Sequence, residues 1–492
     1  MEKKTGSNPN IILIVIDALR ARNLGCYGGE AESSPNIDSI AKKGILFEKC
    51  YSCWNTTDQS LTSIFSGRYP RTHGIVHHGN KIMPEDFKMF NSLNVKLLAE
   101  ILQNMGYRTL AVDWMGRWFK NGFNYYGYKP ERTLFRKIFY CIFTVPYVHV
   151  KYMLANIGLL KIYAKNRKSS VQSAWKGLKD VWSTFRFTFE LARVQDANYV
   201  TSLAEELIKK EKNKNFFLFL HYWDTHSPYN CPKKFVSKSR RSRRAEDVLL
   251  SKYHGAVRYI DDSLGKLMAV LEREKLLDDT LIIITSDHGE SLTEHGIYFD
   301  HHGLYDVTTH VPLIFYHPDA FPESKKIKGL IQHTDVVPTL CDLLSIKSKD
   351  FIFDGTSLLP LIRGEKEKIR SFAFSEESYV QRKIGIRTEK FKYIFAPDGV
   401  GMCNYCQKVH KGVEEFYNLE DDSHEAVNRF HDDKIEAGKL RKKLDDLLRG
   451  LETTKLKLIN KGKKKGMSSK YGQNLKEEKK IKKKLQSLGY MD

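Results

Sequence analysis

No uninterrupted apolar run in this sequence is long enough to cross a bilayer. The stretch "IILIVIDAL" meets an aspartate after six apolar residues, which reads as a buried strand. The preceding "MEKKTGSNPN" has no pattern of a secretory leader. Cysteine is sparse, eight in 492 residues, and without a leader this points to a reduced, cytoplasmic setting. Cys50/Cys53 and Cys403/Cys406 are each spaced Cys-x-x-Cys, but the pairs lie too far apart in the chain to suggest one shared zinc site. Cys403 and Cys406, with His410 close by, read either as a local metal or redox clip or as a loop that happens to hold thiols. Zinc-knuckle, RNA-recognition and helix-turn-helix patterns are all missing, so no nucleic-acid partner is expected. There is no internal repeat.

What the chain does have is positive charge. The net charge is +21 and the isoelectric point is near 9.3. Charge alone favours an anionic partner: an ester of phosphate or sulfate, nucleic acid, or a membrane surface. The charge gathers in "KKFVSKSRRSRR" at 233–244 and in the Lys-rich run 452–484, and both read first as solvated segments, a loop and a tail. Residues 135–164 are apolar and aromatic but are interrupted by Pro146, His149 and Lys151. With basic flanks, this segment reads either as a possible membrane-interface element, peripheral to a cytoplasmic body, or as a buried insertion or lid.

Apolar residues make up 41% of the chain, enough for a large core. Short apolar runs at Ile11–Ile16, Thr109–Val112, Phe216–Leu220, Leu281–Ile284 and Val311–Phe315 predict strands covered on both faces. Helical patterns at 95–105 and 255–272 alternate with them. The fold class predicted is α/β, a doubly wound and mostly parallel sheet. Past residue 365 the texture changes to short antiparallel strands and the helix "EAGKLRKKLDDLLRGL", a smaller α+β subdomain. The domain reading is a catalytic domain over 1–365 with an insertion at 135–190, a C-terminal subdomain over 366–450, and a Lys-rich tail over 451–492.

Ligands of open parallel sheets bind beyond the carboxyl ends of the strands. Three of the apolar runs end in chemistry-bearing residues: Asp17, then "HYWDTH" at 221–226, then "TSDHGE" at 285–290. If the strands are neighbours, these acids and imidazoles converge into a ligand set for a divalent cation. The stretch "WNTTDQSLTSIFSGRYPRTHG" at 54–74 adds a hydroxyl-rich helix, with Leu61, Ile64 and Phe65 at helical spacing and Gly67 as its stop. Thr57 falls at or just before its N-terminus. There it is either a helix cap or a nucleophile set where the helix dipole favours an anion.

The order Asp17, "TTDQSLTSIFSGRYPRTHG", "FLHYWDTHSPY", "TLIIITSDHGESLTEHG", "HHGLYDVTTHVPLIFY" and "HTDVVPTLCDLL" resembles the sulfatase family of the alkaline phosphatase superfamily, over roughly residues 9–345. The resemblance implies an alkaline-phosphatase/sulfatase-like fold and a metal-dependent ester hydrolase or phosphotransferase acting on an anionic ester. It implies a divalent cation (Zn, Mn, Mg or Ca) held by Asp17, Asp287 and His288 together with Thr57. By position it implies Thr57 as nucleophile, His226 as acid for the leaving group, and His301 as an anion-holding residue, with His302 and Asp224 as substrate contacts. The chain departs from the family's pattern where sulfatases carry Cys or Ser in Cys/Ser-x-Pro-x-Arg. Thr57-Asp58-Gln59-Ser60-Leu61 stands there, and threonine cannot become formylglycine. The family's paired aspartates at the first strand read Asp17-Ala18, and "AVDWMGRWF" stands in place of its Gly-Lys-Trp-His block. Threonine nucleophiles occur in relatives that move phosphoryl groups, so phosphoryl transfer is the expectation. A sulfatase working without formylglycine and an inactive binding protein at a membrane surface are the rivals. His73, His333 with Asp335, His310 and His317 read as structural, and Glu290 and His295 as supporting residues.

Overall fold

The computed structural model describes residues 8–464 apart from 31–32, 80–81, 128–195, 238–244, 323, 347–350, 379, 402–408 and 411. The expectations for 135–164, for the Cys403/Cys406 pair and for the end of the Lys-rich tail lie outside the described residues.

Nine strands form the main sheet: β1 (Asn10–Ile16), β2 (Ile45–Tyr51), β3 (Arg108–Val112), β4 (Tyr125–Gly127), β5 (Phe216–Tyr222), β6 (Thr280–Thr285), β7 (His310–Val311), β8 (Leu313–Tyr316) and β9 (Lys325–Gln332). Their order is β4-β3-β5-β1-β6-β8-β2-β7, and β9 pairs with β2. From β4 to β6 every pairing is parallel. The pairs β6–β8, β2–β8 and β2–β7 are antiparallel. Strand β1 is buried at all seven positions, as a both-faces-covered strand should be. Its odd residues Ile11, Leu13 and Val15 pack into one apolar cluster with Leu61, Ile64 and Phe65 of the Thr57–Ser66 helix. Its even residues Ile12, Ile14 and Ile16 pack into a second cluster with the long Ala245–Arg273 helix.

One predicted strand is two. Val311–Phe315 is broken at Pro312, which has no N–H to give a ladder. Two side chains bridge the gap: Thr285 Oγ1 donates to the Pro312 carbonyl at 2.8 Å, and Tyr27 Oη accepts from Leu313 N at 2.8 Å.

A second sheet, β10 (Ala373–Glu377), β11 (Lys383–Arg387), β12 (Phe391–Phe395) and β13 (Glu414–Asn418), is an antiparallel meander. The Lys434–Lys464 helix covers it, burying Leu440 and Leu444 against Phe374 and Ile386. This helix runs on past residue 451, and Leu458 reaches the main-sheet core. Asp335 pairs with Arg370 and accepts from Gln332 N and Thr356 N, a brace between loops.

Candidate functional site

Period-two alternation places the site. In β1, β5, β6 and β3 the residues facing the Thr57–Ser66 helix are Leu13 and Val15, Phe217 and Phe219, Leu281 and Ile283, and Ala111. Continuing each count by two gives Asp17, His221 and Asp113, and on β6 Thr285, with Asp287 one further step of two beyond the strand. The strands are direct neighbours in the order β3-β5-β1-β6, so their carboxyl ends bring Asp17, His221, Asp113 and Asp287 onto one face.

Asp17, His221, Asp287 and His288 are fully buried. Ligand atoms of Asp17, His221 and Asp287 lie within 4.8 Å of one another. His288 Nε2 stands 3.6 Å from Asp17 Oδ1 and 3.5 Å from Asp287 Oδ2. Asp17 Oδ1, Asp287 Oδ2 and His221 Nε2 have no hydrogen-bond partner. Burial, then the Asp287 and Glu290 carboxylates, push the Asp17 carboxyl well above its usual range. Anionic oxygens stripped of water beside one another are costly unless a cation sits among them. The residues therefore fit a divalent cation.

Thr57 is the first residue of its helix; Thr56, with extended backbone, is the N-cap. The Thr57 hydroxyl therefore does not cap. Oγ1 lies 3.3 Å from Asp17 Oδ2 and 3.5 Å from His288 Nε2, and the residue is 1% exposed. Gly67, at φ +66°, ends the helix in the left-handed region.

Three imidazoles close in around it. The His288 ring is 4.5 Å from that of His301, which is 5.8 Å from that of His226. Each is tied through Nδ1 to a backbone carbonyl: His288 to Gly289 at 2.8 Å, His301 to Asn55 at 2.7 Å, His226 to Ser227 at 2.8 Å. A ring that donates from Nδ1 keeps its Nε2 lone pair for other work. Burial lowers all three; His288 falls to about 3, and the neighbouring His288 adds to the effect on His301. Asp58, next to Thr57, is buried with His78 and Arg117 on its carboxylate and the Gly79 N–H at 2.8 Å. Burial opposes its charge, but these partners hold it below the ordinary value.

Asp17, Thr57, His226, Asp287, His288 and His301 thus come together. Asp224, in the loop that follows β5, instead acts on Tyr222, Cys231 and Tyr259 beneath the other face. His302 faces Asp300 at 3.6 Å and lies against His410, the two rings tilted with centroids 4.8 Å apart. His221, Asp113 and Arg117 were not among the expected site residues. His221 had a readable signal, the end of an apolar run, whereas Asp113 and Arg117 need the strand order and the loop path.

A family model described as Sulfatase matches residues 9–346. The chain belongs to the sulfatase family. A second model, N-sulphoglucosamine sulphohydrolase, C-terminal, matches residues 293–454 of this sulfatase-family chain. An arylsulfatase of Clostridium perfringens is 25% identical, covering 90% of this chain and 95% of its own length. An N-acetylglucosamine-6-O-sulfatase of Bacteroides thetaiotaomicron is 23% identical, covering 91% and 87%. Among solved structures, one in complex with its substrate D-glucosamine-2-N,6-O-disulfate has TM-score 0.62 at 19% identity, over 92% of this chain and 99% of that one. The phosphonate monoester hydrolase of Agrobacterium radiobacter has TM-score 0.62 at 19% identity, over 91% and 96%. The sulfatase-like fold is the one expected, and the chain is a sulfatase-family hydrolase of the ester-cleaving class. No helix among the described residues is long and apolar enough to cross a membrane.

Proposed function

We propose that this sulfatase-family chain cleaves a phosphate-type ester through a covalent Thr57 intermediate, and passes the group on to water or an alcohol. The observation that carries the reading is the Thr57 hydroxyl. It is buried, it is not the helix cap, and it faces Asp17 Oδ2 and His288 Nε2.

Asp17, Asp287 and His288 would hold a divalent cation, Zn, Mn, Mg or Ca, with Thr57 beside it. When bound, it supplies positive charge that favours the ionised hydroxyl and the anionic ester. The chain's own residues do the rest. Thr57 Oγ1 attacks phosphorus, its proton leaving toward Asp17 Oδ2. One new O–P bond forms and the bond to the leaving oxygen breaks, with its electron pair staying on that oxygen. His226, oriented by the Ser227 carbonyl, offers Nε2 to protonate the leaving oxygen. An incoming dianion counters the burial that lowers this imidazole, so it can carry the proton when substrate is present. His301 helps hold the anion. His302 would meet the alcohol part; Asp224, turned to the other face of the sheet, has no part in this reading. In the second half, water or an alcohol attacks the phospho-threonine and restores the hydroxyl. A sulfated threonine has no hemiacetal escape, which is why phosphorus is favoured over sulfur.

The names of the curated relatives favour one alternative, a sulfuric ester hydrolase working without formylglycine. Paired nitrophenyl phosphate, phosphodiester, phosphonate and sulfate substrates separate the two. Phosphorus esters turning over in wild type and not in Thr57→Ala supports the proposal; sulfate turnover alone favours the alternative. An inactive binding protein would turn over none of them.

A further inference from the structure

The reading above uses Asp17, Asp287 and His288 and leaves a fourth buried donor idle. His221 comes from β5, between β3 and β1. Its Nε2 has no hydrogen-bond partner, stands 3.8 Å from Asp17 Oδ2 and belongs to the same compact donor group as Asp287. On its other side Nδ1 lies 2.9 Å from Asp113 Oδ1. The sheet register builds this contact. Val112 pairs with Leu220, so the next residues along, Asp113 and His221, emerge side by side.

Nδ1 also lies 3.0 Å from Trp223 Nε1. The two contacts compete, because one ring nitrogen holds either a proton or a lone pair. A hydrogen bond to a carboxylate is about twice as strong as a neutral one, so Nδ1 carries the N–H and donates it to Asp113 Oδ1. Nε2 is then left with its lone pair facing Asp17 and Asp287. Asp113 is itself fixed, accepting from Tyr126 Oη and from Met115 N. Carboxylate, imidazole and cation in line is the arrangement that orients a metal-binding histidine and raises its basicity. Ala18, next to Asp17, brings no side-chain donor. Its N–H goes to Asp287 Oδ1 at 3.2 Å, leaving Oδ2 unpartnered.

We propose that His221, positioned by Asp113, is a further ligand of the divalent cation, and that this second imidazole makes the site select zinc-like cations over calcium and magnesium. The proposal rests on the reading that Asp17, Asp287 and His288 hold a cation. Its chemistry is that of the donors. Calcium and magnesium take oxygen ligands almost wholly, while imidazole nitrogen suits zinc and its neighbours. A set with His221 and His288 opposite Asp17 and Asp287 is half nitrogen.

The test uses the full chain, stripped of metal with a chelator and titrated calorimetrically with Zn²⁺ and, separately, Ca²⁺. Wild type, His221→Ala, His221→Asp and Asp113→Asn are compared, with circular dichroism as the check on folding. Wild type is expected to bind Zn²⁺ at least about a hundred-fold more tightly than Ca²⁺. His221→Ala and Asp113→Asn should each lose about ten- to a hundred-fold in Zn²⁺ affinity, the second because it frees the ring to turn. His221→Asp should narrow the gap by strengthening Ca²⁺ binding. The visible spectrum of the Co²⁺-loaded protein gives a second readout, and should change in His221→Ala. If His221→Ala fails to fold, Asp113→Asn with the Co²⁺ spectrum decides. Unchanged Zn²⁺ affinity and an unchanged Co²⁺ spectrum in the folded variants would overturn this inference and leave the three-residue cation site standing. A wild type that binds neither cation overturns both.

Discussion

The side chain that decides most is a threonine doing less for its helix than its place suggests. Read from its local sequence Thr57 is first a helix cap, and the family resemblance makes it the expected nucleophile. The structure gives the cap position to Thr56, whose own hydroxyl turns to Gln59 Oε1 at 2.5 Å. Thr57→Ala should therefore leave the unfolding free energy within about 1 kcal/mol of wild type. Turnover of a phosphate ester should fall by about a thousand-fold or more, and Thr57→Ser should keep part of it. A variant whose stability and turnover fall in parallel would return Thr57 to a structural role. His73 makes a prediction of a different kind. It is buried with Nε2 at 3.2 Å from Ser63 Oγ, and burial lowers it from 6.5 to about 3. Above pH 6.5 both folded and unfolded chains carry it neutral, and it adds no pH dependence. As pH falls from 6.5 toward 3 the unfolded chain takes up a proton that the native one refuses. Stability should then fall by up to about 1.4 kcal/mol per pH unit from this group. His333, lowered to about 4, adds to the same trend. Denaturant unfolding across this range should show a shallower acid limb in His73→Gln than in wild type; equal limbs would mean that His73 is not held neutral.

At the scale of elements, the site is the product of strand ends and one helix start. The continuous apolar runs that hold Val15, Phe219 and Ile283 were legible in the sequence, as were Asp17, Asp287 and His288 just beyond. What could not be read was which strands are adjacent, and so which of "HYWDTH" faces inward. Parity decides only as far as the strand runs: His221 shares the face of Phe219, while the loop beyond Tyr222 turns Asp224 toward Tyr259 and brings His226 near His288 and His301. Pro312 shows the same limit, since its apolar flanks read as one strand although its missing N–H splits the run. The helix stop was readable, because Gly67 needs φ +66°, and a Cβ there would meet Phe353 Cδ1 at 2.8 Å. Gly67→Ala should destabilise by about 1–2 kcal/mol from the left-handed backbone alone, and more from the contact. Thermal unfolding checks this, and an unchanged midpoint would mean that the helix end can rebuild.

For the whole molecule, the small sheet is not a separate passenger. Glu377 of β10 accepts from Asn55 Nδ2 at 2.6 Å and from Gly303 N at 2.7 Å, and Asn55 Nδ2 also donates to the His301 carbonyl at 2.8 Å. The texture change near residue 365 revealed a second subdomain, but this long-range bond from its first strand into the site has no local signature. Glu377→Ala removes the one oxygen, Oε2, that accepts from both N–H groups. It should lower kcat by about ten-fold or more through His301 and leave Thr57 chemically competent. A wild-type kcat would confine Glu377 to holding the sheets together. The central claim is that the chain's own threonine carries the transferred group. The most direct measurement is a rapid quench of wild type with a phosphate-ester substrate that turns over, followed by peptide mass mapping. The account predicts a phosphoryl adduct on Thr57 that forms and decays within turnover and is absent from Thr57→Ala. Turnover with no adduct at Thr57, undiminished in Thr57→Ala, would contradict it.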